Sequence, residues 1–187
     1  MSPNEQPVVS NGVSAAELAK LGEGRRALRR GQILEMTPAG FQHGRITNTI
    51  AYHLTSFVEA HGLGVVLSAE TGFLLEKNPD TVLAPDVAFV SRDRPLDVSG
   101  YAEGAPDLAV EVVSPHDRRR DVTAKVRQWL AHGAQQVWVV DPRRRCVEIH
   151  ESETRSHTLD SGATLLGGEL FPGFALPIAK IFGPKSE

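Results

Sequence analysis

The chain has 187 residues, enough for one domain with a sizeable core, and its 41% hydrophobic and 23% charged residues are typical of globular proteins. The net charge of −3 excludes a protein that coats nucleic acid through bulk electrostatics, and the apolar runs are too short to span a bilayer. The single cysteine, Cys146, excludes an internal disulfide, and the first residues lack the pattern of a secretory signal, so we expect a cytoplasmic protein.

The first part of the chain predicts two helices and a strand. Residues 1–12 have no periodicity and predict a disordered lead-in, and we expect a single domain over residues 13–187. A capping-box pattern at 14–17 begins a short helix, and residues 31–36 have the composition of a strand. Residues 41–61 then follow a helical period.

The second part of the chain alternates strands with one more helix. Strands are predicted at 65–67, 73–75, 83–90, 107–113, 137–140 and 146–150, and a helix at 117–132. The first two of these strands could also be one strand with a bulge around Gly72. The order helix, strands, helix, strands predicts an α/β fold in which helices pack against a mixed β-sheet.

Two of the predicted apolar strands carry a carboxylate. Glu111 lies in the run PDLAVEVVSP, on one face with Val113 and between valines, where an unpaired charge would cost several kcal/mol. An ion pair with Lys125 is one way to compensate it. Asp86, in the run APDVAFV, follows a proline at the mouth of a neighbouring strand. A hard cation takes one or two carboxylates together with waters and phosphate oxygens, so the pair predicts a divalent metal site.

Three further residues are candidates for this site. Lys125 flanks the buried stripe of the helix predicted at 117–132, from which its stem can reach the carboxylates, although a solvated lysine fits the same position. His43 lies three residues before Ile46 on the inward helix face, which fits either a pocket residue or a capped core histidine. Asp107 shares the face of Glu111, but four residues of strand separate them by roughly 13 Å, so we do not expect a shared ion.

These motifs occur in a recognisable order. The run PDVAFV is followed by GAPDLAVEVVSP, a basic stretch, a helix with Lys125, the segment GAQQVWVVDP and a final PGF. In this combination, and with the early Gly24, Arg25, Gly31, Glu35 and Met36, the chain resembles the Uma-type family. That family comprises bacterial restriction-endonuclease-like proteins of the PD-(D/E)XK nuclease superfamily.

The resemblance implies a nuclease-type αβββαβ core with Asp86 and Glu111 as metal ligands and the backbone carbonyl of Val112 as a further ligand. The superfamily usually has a lysine two residues after the glutamate. Here Val113 takes that position, and the resemblance implies that Lys125 supplies the charge from the helix instead.

The early segment of the chain also departs from the family pattern. Such proteins often read YELIDGE where this chain reads RALRRGQ, so two acidic positions are Ala27 and Gln32. If those acids help to hold the metal in the family, the activity of this chain would be impaired.

The leading interpretation is a metal-dependent, endonuclease-like phosphodiesterase that acts on nucleic acid, with DNA as the expected substrate and Mg²⁺ or Mn²⁺ on Asp86 and Glu111. Lys125 would stabilise charge, and His43 would contact a ligand or carry a proton. The alternatives are a catalytically idle nuclease-fold module that binds nucleic acid or a partner protein, and a plain interaction domain with buried ion pairs. The apolar hairpin over residues 137–149 offers an edge for pairing and predicts a homodimer.

Overall fold

The computed structural model describes residues 5–8, 12–22, 24–94, 100–115 and 117–183, and of residues 5–8 it describes the backbone. The strands are β1 (Glu5–Val8), β2 (Arg26–Arg29), β3 (Gln32–Met36), β4 (Gly64–Ser68), β5 (Phe73–Glu76), β6 (Thr81–Leu83), β7 (Val87–Ser91), β8 (Ala102–Glu103), β9 (Leu108–Val112), β10 (Gln136–Asp141), β11 (Cys146–His150), β12 (Ser156–Leu159), β13 (Thr164–Gly167) and β14 (Phe171–Pro177). The helices are α1 (Ala15–Leu18), α2 (Phe41–His61), α3 (Arg119–Ala131) and α4 (Ile178–Phe182).

The main sheet has the strand order β12-β11-β10-β9-β7-β4. Strands β9 and β10 run parallel, and the other neighbours are antiparallel. The parallel pair is connected through α3, as parallel strands require a crossover. Strands β9 and β10 are almost fully buried, which explains their continuous apolar sequence.

A second sheet has the order β1-β3-β2-β6-β5-β8, and β13 pairs with β14 in a separate hairpin. One face of the main sheet packs against α2, α4 and the β13–β14 hairpin. The other face packs against α3 and the second sheet, with Trp129 at the centre of this second core. The main sheet is therefore covered on both faces, which confirms the predicted α/β fold of helices against a mixed sheet.

The two long helices follow the apolar periods of the sequence. The stripe of α2 that begins at Ile46 is buried against the sheet, and Gly62 ends the helix with a left-handed φ of 59°. In α3 the buried residues are Val126 and Trp129. The capping box of Ser14 and Glu17 is present at the start of α1. These helices are confirmed within a few residues of their predicted bounds.

The single strand predicted over residues 83–90 is wrong. The chain forms two strands there, β6 in the second sheet and β7 in the main sheet. Pro85 lies between them, and it lacks the N–H that a continuous ladder needs. Because the chain changes sheets at this proline, Asp86 lies immediately before β7, at the junction of the two sheets.

The edge predicted for dimer pairing is also wrong. Residues 137–149 do form an antiparallel hairpin of β10 and β11, but β10 lies between β9 and β11, and β12 pairs with the outer side of β11. Strand β12 itself was not predicted. It is short, polar and largely exposed, so it shows no alternation of apolar and polar residues from which a strand could be recognised.

The predicted lead-in, residues 1–12, lies largely outside the described residues. Within it, residues 5–8 form β1, which pairs antiparallel with β3. An edge strand obtains its pairing from backbone groups, so it needs no periodic sequence. No helix in the part of the chain that the structure describes is long and apolar enough to cross a membrane.

Candidate active site

Asp86 and Glu111 face each other across the antiparallel strands β7 and β9. The register pairs Val87 with Val110, and the Asp86 N–H donates to the Val110 carbonyl at 2.9 Å. Continuing this register by one position brings Asp86 opposite Glu111. Directly opposed residues lie on one face with Cβ atoms about 4.5–5.5 Å apart. Both side chains line one cavity of about 70 Å³.

Glu111 is buried, with 7% of its surface exposed, and both of its carboxylate oxygens have partners on α3. Lys125 Nζ lies 3.1 Å from Oε2, and the Trp129 indole N–H donates to Oε1 at 2.8 Å. Burial raises the pKa of Glu111, the charge of Lys125 lowers it, and the charge of Asp86 raises it further, with a net shift upward. One helix therefore compensates this carboxylate with a charge and a hydrogen bond.

Asp86 is held through a single oxygen. The Val112 N–H donates to Oδ2 at 2.7 Å, and His43 Nε2 lies 3.3 Å from the same atom. The Val112 N–H, which would donate to a backbone carbonyl if β7 were longer, donates to the Asp86 carboxylate instead. Because both contacts go to Oδ2, the contacts among the described residues leave Oδ1 unengaged.

His43 enters the site from the first turn of α2, on the opposite side of the sheet from Lys125. Burial lowers the pKa of His43, but the hydrogen bond and the negative charge of Asp86 raise it more, so the pKa lies above its usual value. The Val112 backbone is a further hydrogen-bond partner that raises the pKa, whereas the nearby charge of Arg25 lowers it. His43 therefore connects Asp86 with the end of β9.

The structure brings five of the sequence-predicted residues to one cavity: Asp86, Glu111, Val112, Lys125 and His43. The ion pair between Lys125 and Glu111, the alternative considered from the sequence, is present in the same geometry.

Asp107 lies at the far end of β9, where it accepts hydrogen bonds from the Ser91 N–H at 2.9 Å and the Gln135 amide at 2.9 Å. It has a structural role there, which agrees with the expectation that it does not share an ion with Glu111. Ala27 is buried in the core beneath α3, and Gln32 is exposed next to the β2–β3 turn. Neither of them lines the cavity of Asp86 and Glu111.

Sequence reasoning missed two residues of the site. The apolar period of α3 predicts only that Trp129 is buried, although its spacing of four residues from Lys125 puts the two on one helix face. Arg25 lines the cavity, with its Nε 3.2 Å from Glu70 and its guanidinium donating to the Thr37 carbonyl at 3.2 Å. Arg25 belongs to the early family-like motif, but that resemblance implied no site role for it.

The residues of the cavity fit a hard divalent cation. Asp86 and Glu111 supply two carboxylates on one sheet face, and the Val112 backbone lines the same cavity. The described residues contain no group of three or more His, Cys, Asp or Glu side chains placed to hold a metal. The carboxylate pair suits an ion such as Mg²⁺, which takes one or two carboxylates and completes its coordination with waters and substrate phosphate.

The hydrogen bond from Trp129 to Glu111 predicts a stability difference between two tryptophans. Trp129 and Trp138 are both fully buried, and the Trp138 indole donates to the Gln136 amide at 3.0 Å. We expect Trp129→Phe to lower the free energy of unfolding by about 1 kcal/mol more than Trp138→Phe, because hydrogen bonds to charged groups are the stronger ones. Urea denaturation measures both.

The same comparison in a Glu111→Gln background provides the control. There the difference between the two tryptophan variants should shrink, because the charged acceptor is gone. Equal losses in the wild-type background would contradict the assigned role of Trp129.

Comparison with known proteins agrees with this architecture. The crystal structure of a "putative nuclease belonging to DUF820" from Anabaena variabilis ATCC 29413 superposes with a TM-score of 0.77 at 21% sequence identity, covering 91% of this chain and 97% of that one. This likeness shows a shared fold and confirms the predicted restriction-endonuclease-like fold class. No curated protein matches the chain significantly.

A family model matches most of the chain. The Uma2 model, described as "Putative restriction endonuclease", matches residues 16–179, a range that includes all the site residues described above. The description supports a nuclease-type function and agrees with the resemblance found in the sequence motifs. The chain therefore belongs to the Uma2 family of restriction-endonuclease-like proteins.

Proposed function

We propose that this protein is a metal-dependent phosphodiesterase that cleaves DNA. The observation that carries the proposal is the pairing of Asp86 and Glu111 across β7 and β9, on one face and in one cavity. Two carboxylates in this arrangement are the side-chain ligands that a Mg²⁺ or Mn²⁺ site needs, with waters and the substrate phosphate as the remaining ligands. Family membership supports the reaction class.

Asp86 and Glu111 would hold the cation, with the Val112 backbone carbonyl as a third ligand. Bound there, Mg²⁺ or Mn²⁺ would supply Lewis-acid chemistry that neutralises charge on the non-bridging phosphate oxygens. His43 holds Asp86 through Oδ2, which orients Oδ1 for coordination. Because Asp86 is fixed from two sides, the site is preorganised on the Asp86 side.

Lys125 would act on the phosphate. Its Nζ lies 3.1 Å from Glu111 Oε2, so it is a protein cation beside the place where the scissile phosphate would bind. Charge grows on the phosphate oxygens in the transition state, and a fixed ammonium stabilises that charge. Lys125 comes from α3, which compensates for the neutral side chain of Val113 on β9.

One observation favours a second candidate function, an idle nuclease-fold module that binds nucleic acid or a protein. Both oxygens of Glu111 are engaged by Lys125 and Trp129, so a cation must compete with an internal ion pair. Metal binding separates the two functions, because an idle module has no need to release Glu111 from Lys125.

Glu111→Gln is expected to reduce Mg²⁺- or Mn²⁺-dependent nicking of supercoiled plasmid at least a hundredfold. The variant keeps the shape of the side chain and removes the ligand charge, which is worth several kcal/mol in the transition state. Asp107→Asn is the matched control and should leave nicking unchanged, since Asp107 directly precedes β9 and lies outside the site.

If wild type and Glu111→Gln nick equally in this assay, the cleavage comes from a contaminant and the proposal fails. A chelator control separates metal-dependent nicking from the background. If neither protein nicks and calorimetry shows no Mn²⁺ binding to wild type, the idle module is supported instead.

Lys125→Ala is expected to slow nicking by about a hundredfold, the usual effect of removing one charge-stabilising group. The variant should leave Mn²⁺ affinity unchanged or higher, because Glu111 is released from its ion pair. Calorimetry with Mn²⁺ and nicking rates at saturating metal measure the two effects separately. A fall in Mn²⁺ affinity that accounts for the whole loss of rate would contradict this role.

We further propose that the protein acts as a homodimer, because cutting both strands where a duplex is locally unpaired requires two active sites. The β10–β11 hairpin is interior to the sheet, so pairing would use a different surface. Light scattering at micromolar concentration should give twice the mass of the chain. A monomer mass under these conditions would contradict the proposal.

A further inference from the structure

A cavity of about 210 Å³ lies beside the candidate active site, between α3 and the ends of the central strands. Its apolar walls are two pairs of valines. Val113 and Val139 come from the sheet, and Val122 and Val126 come from α3. The fold therefore leaves a slot with two facing apolar walls that the proposed phosphodiesterase chemistry does not use.

The slot adjoins the candidate active site. Ser114 and Asp117 line both the slot and the cavity of Asp86 and Glu111. A small cavity of about 20 Å³ between them is lined by Glu111 and Lys125 as well as by Val113, Asp117 and Val122. A ligand bound at the two carboxylates would thus have the slot as its immediate neighbour.

The size of the slot fits one aromatic heterocycle. An apolar cavity of about 150 Å³ in another protein accommodates benzene, so a slot of about 210 Å³ has room for a nucleobase. The faces of a base are apolar and pack well between aliphatic or aromatic side chains. The four valines offer such faces.

The polar groups of the slot select a base over a phosphate. Asp141, Asp117 and Glu148 line it, and these carboxylates disfavour a phosphate. Glu148 Oε1 already pairs with Arg144 at 2.7 Å and Asp117 Oδ2 accepts the Ser114 N–H at 2.7 Å, so Asp141 is the carboxylate best placed to accept a hydrogen bond from an N–H group of a base. Asp141 already accepts the Arg143 and Arg144 backbone N–H groups through Oδ1, at 2.9 and 3.0 Å, which fixes its orientation. These contacts leave Oδ2 as its outer acceptor.

Two arginines stand at the same slot and provide positive charge. Arg119 is 79% exposed, with its guanidinium 3.7 Å from Glu148, and the exposed Arg143 lies on the adjoining turn. Arginines in these positions can contact the phosphates on either side of a base in the slot. The slot therefore combines apolar walls, oriented acceptors and surrounding cations.

We propose that this slot binds one unpaired nucleobase next to the scissile phosphate, so that the substrate is single-stranded or locally unpaired DNA. This inference rests on the proposed phosphodiesterase function. A base that is stacked and paired within a duplex cannot enter a slot between a helix and a sheet unless it is first flipped out of the stack. Unpaired strands do not require that step.

The test fills the slot and compares two forms of one DNA. Val122→Phe places a larger side chain between the walls, and Ala124→Phe is the matched control, because Ala124 is exposed on the same helix and does not line the slot. Mn²⁺-dependent cleavage is measured on a single-stranded oligonucleotide and on its duplex. Wild type should cleave the single strand at least tenfold faster.

Val122→Phe should lower kcat/KM for the single strand at least tenfold, mainly through KM, and Ala124→Phe should leave it unchanged. Asp141→Asn serves as a second variant that should also raise KM. It keeps the Oδ1 atom that accepts the Arg143 and Arg144 N–H groups and replaces the outer carboxylate oxygen by an amide donor. Unchanged Mn²⁺ affinity in all three variants shows that the folded site is retained. Equal cleavage of both DNA forms, with no effect of Val122→Phe, overturns the slot and leaves the phosphodiesterase intact.

If wild type cleaves neither DNA, the proposed function fails, and the proposed base-binding slot is tested by a DNA-binding measurement instead. Fluorescence anisotropy of a labelled single-stranded oligonucleotide in chelator should show affinity that Val122→Phe lowers at least tenfold and Ala124→Phe preserves. Equal affinity in both variants, or no affinity in wild type, overturns the proposal.

Discussion

The site depends on a negative charge buried in the middle strand of the main sheet. Glu111 lies in β9 between two valines, where an isolated carboxylate would lose several kcal/mol of hydration. The fold compensates this cost with Lys125 and Trp129 from one helix, so α3 must pack at one fixed rotation against β9 and β10. The burial of one carboxylate thus constrains the position of a whole helix.

The same arrangement is suited to exchange one cation for another. Removing the partner of a buried charge is costly, whereas replacing it by a second cation is not. Lys125 reaches Glu111 through a flexible stem and is 28% exposed, so its ammonium can move toward a phosphate when a metal neutralises the carboxylate. In this account Lys125 stabilises Glu111 in the free protein and the phosphate in the complex. Asp86 is held by Val112 and His43, independently of Lys125.

The sequence predicted the fold class, the long helices and the carboxylate pair, since each has a local signal. The apolar period gave α2, and a charge within an apolar strand gave Glu111. The sheet change at Pro85 and the strand β12 were not predictable, because both depend on which strands become neighbours. The contact of Trp129 was missed for a related reason: a buried tryptophan in an apolar stripe resembles any other core residue until its indole N–H is placed beside Glu111.

Diffraction from crystals grown with Mn²⁺, recorded for the anomalous signal of manganese, tests the central claim most directly. We expect a manganese peak between Asp86 and Glu111, with one carboxylate oxygen of each residue at about 2.0–2.6 Å from the metal and the Lys125 ammonium displaced from Glu111. Crystals of Glu111→Gln under the same conditions should lack the peak. An empty site in wild type at saturating Mn²⁺, with Lys125 still 3.1 Å from Glu111, would contradict the account.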